Sequence, residues 1–234
     1  MIPHQFHWVW PGHRTVPEKH QAWMRSWREK HPTWNCTLWA EHPENLEIER
    51  FEREGFEVRP LPPLINQKFY DEIGKWVAGP SAAAARSDIV RYEIVLRGGI
   101  CLDTDVECFG NIEHLLCGVS LCVADEWGAH PGNYLLGAAP NHPAIYSVVR
   151  GLGPHLSALA SGVSAVEATG AAYLYRQLRR HPDLVIYPHM LFNPLRAFDS
   201  PEKVTQWPAV SLANHHCEGK WYDRLKNEPP LEFL

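Results

Sequence analysis

The first sixty residues alternate between two kinds of segment, and that alternation limits the folds open to the chain. Residues 4–10 are rich in aromatic and β-branched side chains and stop at Pro11-Gly12, which predicts a strand. Residues 17–30 predict a helix, with Pro near its start and basic residues near its end. Residues 34–40 predict a second strand, residues 44–54 a charged helix closed by Gly55, and residues 56–59 a third strand. Strands and helices in this order give a mostly parallel sheet with helices on both faces.

The pattern continues down the chain. Residues 81–97 predict a helix, because alanines favour it and Ile89, Tyr92, Val95 and Leu96 recur at helical spacing. Gly98 is placed to end that helix in the left-handed conformation. Residues 119–124 and 134–139 predict strands, 142–160 and 163–180 helices, and 184–187 and 209–213 short strands. Residues 65–79 are hard to assign. The 234 residues suit a single large α/β domain.

Charge and cysteine usage narrow the function classes. The net charge is -5 and no basic stripe is present, so nucleic-acid binding has no electrostatic footprint. No apolar run reaches membrane-span length, and the first residues lack a signal-peptide pattern. The six cysteines fit neither a zinc spacing nor a compact disulfide framework. Free thiols in a cytoplasmic protein are the expectation. Seven of the ten tryptophans precede residue 80; Trp8 and Trp10 stand out as flat stacking surfaces, although core packing explains any one Trp equally.

Chemistry concentrates in Gly98-Gly99-Ile100-Cys101-Leu102-Asp103-Thr104-Asp105-Val106-Glu107. Along an extended strand, Asp103 and Asp105 would point to one side, about 7 Å apart at Cα. Two hard oxygen donors at a strand end suit Mg²⁺ or Mn²⁺ that also touches phosphate oxygens. The Asp-Xaa-Asp tripeptide alone is a weak motif, so its neighbours matter. Asp88 and Arg91 are three residues apart and share a helix face. They fit either a surface ion pair or a sugar clamp, in which a carboxylate accepts from hydroxyls and a guanidinium donates. Near the C-terminus, His215 or His216 could complete a metal sphere, and Lys220 could neutralise a departing diphosphate. With 14 histidines in the chain, a chance pair fits too.

Taken in order, these segments resemble family 32 glycosyltransferases, the group with the DXD sugar-binding region, related to family 8 and to the large clostridial toxin glycosyltransferases. His4-Gln5-Phe6-His7-Trp8 is similar to that family's His-Gln-Ile-Trp opening. Ser87-Asp88 through Arg91-Tyr92 resembles its Ser-Asp-Xaa-Xaa-Arg helix, and the segment from Gly98 to Glu107 resembles its Gly-Gly-Ile-Tyr-Leu-Asp-Xaa-Asp-Val run. His215 to Trp221 resembles its closing His-His-Trp-Xaa-Gly-Ser-Trp. Cys101, Cys217 and Lys220 depart from Tyr, Trp and Ser in those patterns, and Thr169-Gly170-Ala171 lacks the family's Pro after Gly.

The resemblance implies a GT-A fold, with a nucleotide-sugar-binding half over about residues 1–110 and an acceptor half with a closing segment over about 111–234. It implies a retaining transfer of a hexose from a UDP- or GDP-sugar to a glycan, lipid-linked or protein acceptor, with peripheral membrane contact in the lipid-linked case. Carried onto this chain, Asp105 would bind Mn²⁺ or Mg²⁺, and Asp103 would contact metal, ribose or sugar. His215 would be the third metal ligand, with His216 the alternative. Asp88, Arg91 and Asn133 would hold the donor sugar, and His4, Gln5 and Trp8 would sit near the nucleotide. Lys220 and Trp221 would close over the diphosphate. Two rival readings are a haloacid-dehalogenase-like phosphatase, which shares the Asp-Xaa-Asp-Val motif but carries it on a first strand, and a non-catalytic nucleotide-sugar-binding protein.

Overall fold

The strands, in chain order, are β1 (Gln5–Trp10), β2 (Asn35–Ala40), β3 (Glu57–Pro60), β4 (Gly99–Leu102), β5 (Val106–Cys108), β6 (Leu121–Glu126), β7 (His130–Ala138), β8 (Leu184–Tyr187) and β9 (Ala213–His215). They belong to a computed structural model that describes residues 1–127, 130–159, 161–195 and 207–218. Seven strands form one sheet in the order β3-β2-β1-β4-β7-β6-β8. β3, β2, β1 and β4 are parallel, β7 runs against both β4 and β6, and β8 is parallel to β6. The expected mostly parallel α/β sheet is therefore present, with β7 reversed. β5 and β9 form a separate antiparallel pair.

Side-chain alternation along the strands divides the core into two layers. On one face Val9, Trp39 and Cys101 pack with helices α4 (Pro80–Val95) and α5 (Pro143–Leu159) through Ile89, Val90, Val148 and Leu152. On the other, Phe6, Trp8, Ile100 and Leu102 meet Met24 and Trp27 of α1 (Glu18–Lys30). Most of the N-terminal tryptophans are thus core residues. Trp8, Trp27, Trp34 and Trp39 are buried.

The chain turns from α4 into β4 through Gly98 and Gly99, with φ of +85° and +109°. Both angles lie where side chains are disfavoured. A Cβ on Gly99 would also stand 2.7 Å from the Gln5 carbonyl oxygen, so glycine is required there for closeness as well as conformation.

Three expectations need correction. Residues 44–54 are not one helix: a 3₁₀ turn at Pro43–Asn45 is separated from α2 (Ile48–Arg53) by Leu46, which is extended and buried. Residues 163–180 break at Thr169-Gly170 into α6 (Ala165–Ala168) and α7 (Ala171–Leu178). The break fits a close approach, since a Cβ on Gly170 would lie 2.9 Å from the Val166 Cα. The strand expected over 209–213 instead forms as β9, beginning where pairing with β5 is available.

Residues 65–79, hard to assign from sequence, contain α3 (Gln67–Trp76). Its start is held by tertiary structure: the buried Glu93 carboxylate accepts from the Asn66 amide at 2.8 Å and from Asn66 Nδ2 at 2.9 Å. All six cysteines are unpaired. No helix among the described residues is long and apolar enough to cross a membrane.

Candidate functional site

The site lies beyond the C-terminal end of β4, where ligands gather in open α/β sheets. The Asp103 amide donates to the Tyr134 carbonyl at 2.9 Å, and the chain then turns, with the Val106 amide reaching back to the Asp103 carbonyl at 3.3 Å. Asp103 and Asp105 are therefore in a turn between β4 and β5, not along one extended strand. They still converge, because a second element gathers them. The β5–β9 ladder sets His215 opposite Val106, and the His216 amide donates to the Asp105 carbonyl at 2.9 Å.

That ladder places His215 Nε2 3.3 Å from Asp105 Oδ1 and 3.6 Å from Asp103 Oδ2. One ligand atom from each of the three residues lies within 4.8 Å of the others. Two carboxylates and an imidazole at this spacing fit a divalent cation with room left for phosphate oxygens. The second oxygen of Asp105 accepts from the Glu218 amide at 2.8 Å. Burial would raise the Asp105 pKa, but His215 and the Glu218 amide outweigh it and hold the carboxyl well below its usual range. Burial would likewise lower His215; Cys217 and Asp105 overcome it and raise the imidazole well above its usual value. The ring stacks on Tyr134, centroids 4.6 Å apart and 19° from parallel.

The opposite wall comes from α4. Asp88 and Arg91 are both buried, which removes the surface-pair reading. Arg91 donates one nitrogen to Asp103 Oδ1 and another to the Asn133 carbonyl. Asp103 is thus held by Arg91 on one oxygen and faces His215 with the other. Burial opposes the charge on Arg91, and the Asp103 carboxylate outweighs it, so its pKa is raised. Asp88 accepts from Asn133 Nδ2 at 2.7 Å and from Thr169 Oγ1 at 2.8 Å. Burial still pushes its carboxyl up to about 6, against the pull of Arg91 and those bonds.

Between the walls is a cavity of about 170 Å³, lined among others by Asp88, Arg91, Asp103, Glu126, Asn133 and His215. Sites that enclose a drug-sized ligand run to roughly 300–1,000 Å³. This cavity suits one sugar-sized group, with the rest of a larger ligand outside it.

The expected site residues divide. Asp88, Arg91, Asp103, Asp105, Asn133 and His215 come together. His4 and Gln5 do not: they sit at the N-terminal end of β1, and Phe6, the next residue, already pairs with Ile100. That leaves roughly 10 Å of strand between them and Asp103. His4 stacks on Trp34 at 4.6 Å, and Gln5 donates to Thr37 Oγ1 at 3.0 Å. Trp8 is fully buried beside Phe6 and Phe56, so its ring offers no free face. His216 turns away, stacking on Trp23 at 4.1 Å with Nε2 3.0 Å from Glu107 Oε2. Lys220 and Trp221 lie outside the described residues.

Sequence reasoning missed Thr169, Tyr134 and the pair His20–Thr104, which are bonded at 2.8 Å beside the acidic turn. It also passed over His20 as the neighbour of Trp10, whose ring meets it edge-on at 6.3 Å. The available signal was positional: Trp10, not Trp8, ends β1 on the side where β4 delivers Asp103.

Residues 17–131 match the family described as glycosyltransferase sugar-binding region containing DXD motif. No curated protein matches. Among solved structures, PaToxG glycosyltransferase is similar, at 17% identity and a TM-score of 0.61, over 77% of this chain and 70% of that one. The UDP-bound glycosyltransferase domain of the YGT toxin has 10% identity and a TM-score of 0.52, over 79% of each chain. Its ligand-free form has a TM-score of 0.53 at the same identity, over 79% and 80%. Likeness at these identities speaks for the fold, which is of the GT-A type.

Proposed function

We propose that a chain with a GT-A sheet and a DXD-region match over residues 17–131 is a metal-assisted, retaining hexosyltransferase using a nucleoside diphosphate sugar. The observation that carries the reading is the convergence of Asp103, Asp105 and His215 on one rim of a sugar-sized cavity whose other wall is Asp88, Arg91 and Asn133. Breaking a glycosyl–diphosphate bond builds negative charge on the leaving oxygen. A divalent cation held by Asp103, Asp105 and His215 would supply charge neutralisation there. The chain's own contribution is preorganisation. Arg91 fixes the Asp103 carboxylate, Glu218 and His216 backbone amides fix Asp105, and Asp88 with Asn133 presents acceptors and donors to sugar hydroxyls.

Three carboxylates, Asp88, Asp103 and Glu126, line the cavity. In this reading the donor site draws on both halves of the chain, since Glu126, Asn133 and His215 lie beyond residue 110. The acceptor is a glycan, a lipid-linked sugar or a protein. UDP-sugars are the first donors to test, because the YGT toxin domain is solved with UDP bound.

The test is nucleotide release from a panel of UDP- and GDP-sugars with Mn²⁺, Mg²⁺ or EDTA, alongside Asp105→Asn. Metal-dependent release from one donor, lost in the variant, is the expected result. No release and no calorimetric binding of any donor would overturn the reading. Retention is checked by the anomeric configuration of the product by NMR.

A further inference from the structure

His215 faces two donor sets at once. Its Nε2 points at Asp103 and Asp105; its Nδ1 lies 3.4 Å from Cys217 Sγ. Glu126, at the end of β6, completes the second set: a carboxylate oxygen of Glu126, a ring nitrogen of His215 and Cys217 Sγ lie within 4.8 Å of one another. Cys217 is partly buried and adopts φ of +52°. A non-glycine residue rarely takes that conformation, and where it does a local constraint or function is the usual reason. Here the unusual backbone belongs to the residue whose sulfur faces the His215 ring.

We infer that Glu126, His215 and Cys217 form a second metal site, selective for a thiophilic cation such as Zn²⁺ and exclusive of the cation held by the acidic pair. The donor chemistry supports the selectivity. One thiolate, one imidazole and one carboxylate suit tetrahedral Zn²⁺ with a fourth position open, whereas Mg²⁺ and Mn²⁺ prefer oxygen. The geometry is close to what that needs. Bonds of roughly 2.0–2.3 Å to a tetrahedral centre put neighbouring donors about 3.3–3.8 Å apart, and the sulfur–nitrogen separation of 3.4 Å falls within that.

The exclusivity follows from the ring. A neutral imidazole has one nitrogen with a lone pair and one N–H. A cation on the acidic pair takes the Nε2 lone pair and leaves the N–H on Nδ1, facing the thiol. Zn²⁺ on the second set forms bonds to Sγ and Nδ1, releases to solvent the thiol proton and the proton that a charged ring carries on Nδ1, and leaves the N–H on Nε2 facing Asp103 and Asp105. As a neutral imidazole, His215 serves one set at a time. Zn²⁺ at the second set therefore strips the acidic pair of its nitrogen ligand. This last consequence rests on the proposed metal-assisted reaction; the second site itself does not.

Titration of the whole protein with Co²⁺, a spectroscopic stand-in for Zn²⁺, separates the two claims. The expected result is a thiolate-to-Co²⁺ charge-transfer band that Zn²⁺ quenches, that Cys217→Ser abolishes, and that Asp105→Asn retains. Zn²⁺ affinity, measured by competition with a chelating dye, should fall at least about tenfold in Cys217→Ser and in Glu126→Gln. Circular dichroism and melting of each variant verify that it is folded. A wild type without the band, or a band that survives in folded Cys217→Ser, overturns the site. If the band behaves as expected but Zn²⁺ leaves Mn²⁺ affinity unchanged, exclusivity is wrong while the site stands. Absence of glycosyl transfer would change neither readout.

Discussion

His7 and His215 are both nearly enclosed, at 4% and 10% side-chain exposure, yet they meet opposite fates. His7, toward the N-terminal end of β1, accepts from Trp39 Nε1 at Nδ1 (3.2 Å) and donates from Nε2 to the Gly98 carbonyl (3.1 Å). Burial pulls its pKa down to about 4, more than the Gly98 bond restores. Beyond the C-terminal ends of the strands, His215 is opposed by acids and a thiol, and its pKa rises instead. Burial is similar, so burial does not decide the role. The partners do: two hydrogen bonds to Trp39 and Gly98, with the Arg97 cation nearby, make a neutral scaffold histidine, and acids and a thiol make a site.

The largest effect that would test this contrast is at the site end. Asp105→Asn should lower metal-dependent nucleotide release by about 100- to 1,000-fold, with far-ultraviolet circular dichroism verifying that the variant is folded. A variant that keeps release would erase the functional side of the comparison.

Next comes the scaffold end. His7 has a pKa near 6.5 unfolded and about 4 folded, so between those values the unfolded chain binds a proton that the folded chain refuses. Its stabilisation is complete above pH 6.5 and is lost as the pH falls to 4. The loss is about 3 kcal/mol, read as a drop in unfolding free energy by denaturant titration across that window. His7→Gln should flatten the slope. An unaltered slope would return His7 to the ordinary histidines.

Thr169→Val tests whether the α6–α7 break serves the site. It removes a hydrogen bond to the buried Asp88 carboxylate, and the denaturant midpoint should report a cost of about 1.5–3 kcal/mol. If stability is unchanged, the break is set by Gly170 packing alone. The smallest effect is expected at the far end of β1: His4→Ala should leave donor KM within about twofold, the scale of an ordinary surface change. A larger shift in KM would join the two ends of the strand functionally.

Much of this was legible in the chain. The block from Ser87 to Glu107 carries its own geometry: a helix, a glycine turn and a short strand bring Asp88, Arg91 and Asp103 to one place through local rules. The parallel run of strands in the first half followed from alternation. His4, Gln5 and Trp8 lie apart from that cluster for a local reason as well. Along a strand, position sets both the end and the face, and these three fall at the wrong end or in the core.

What only tertiary structure decided is the rest of the site. Nothing near residue 105 in the chain announces that β9, more than a hundred residues later, will pair with β5 and choose His215 over His216. That choice comes from ladder register, because neighbouring residues on a strand face opposite sides. Just past the end of β9, Cys217 then meets the far nitrogen of that ring. Sequence supplied donors of the right chemistry and the local turns that aim the first of them. Long-range strand pairing selected which later donors meet them, since side-chain direction in a sheet is fixed by partners that the local chain does not contain.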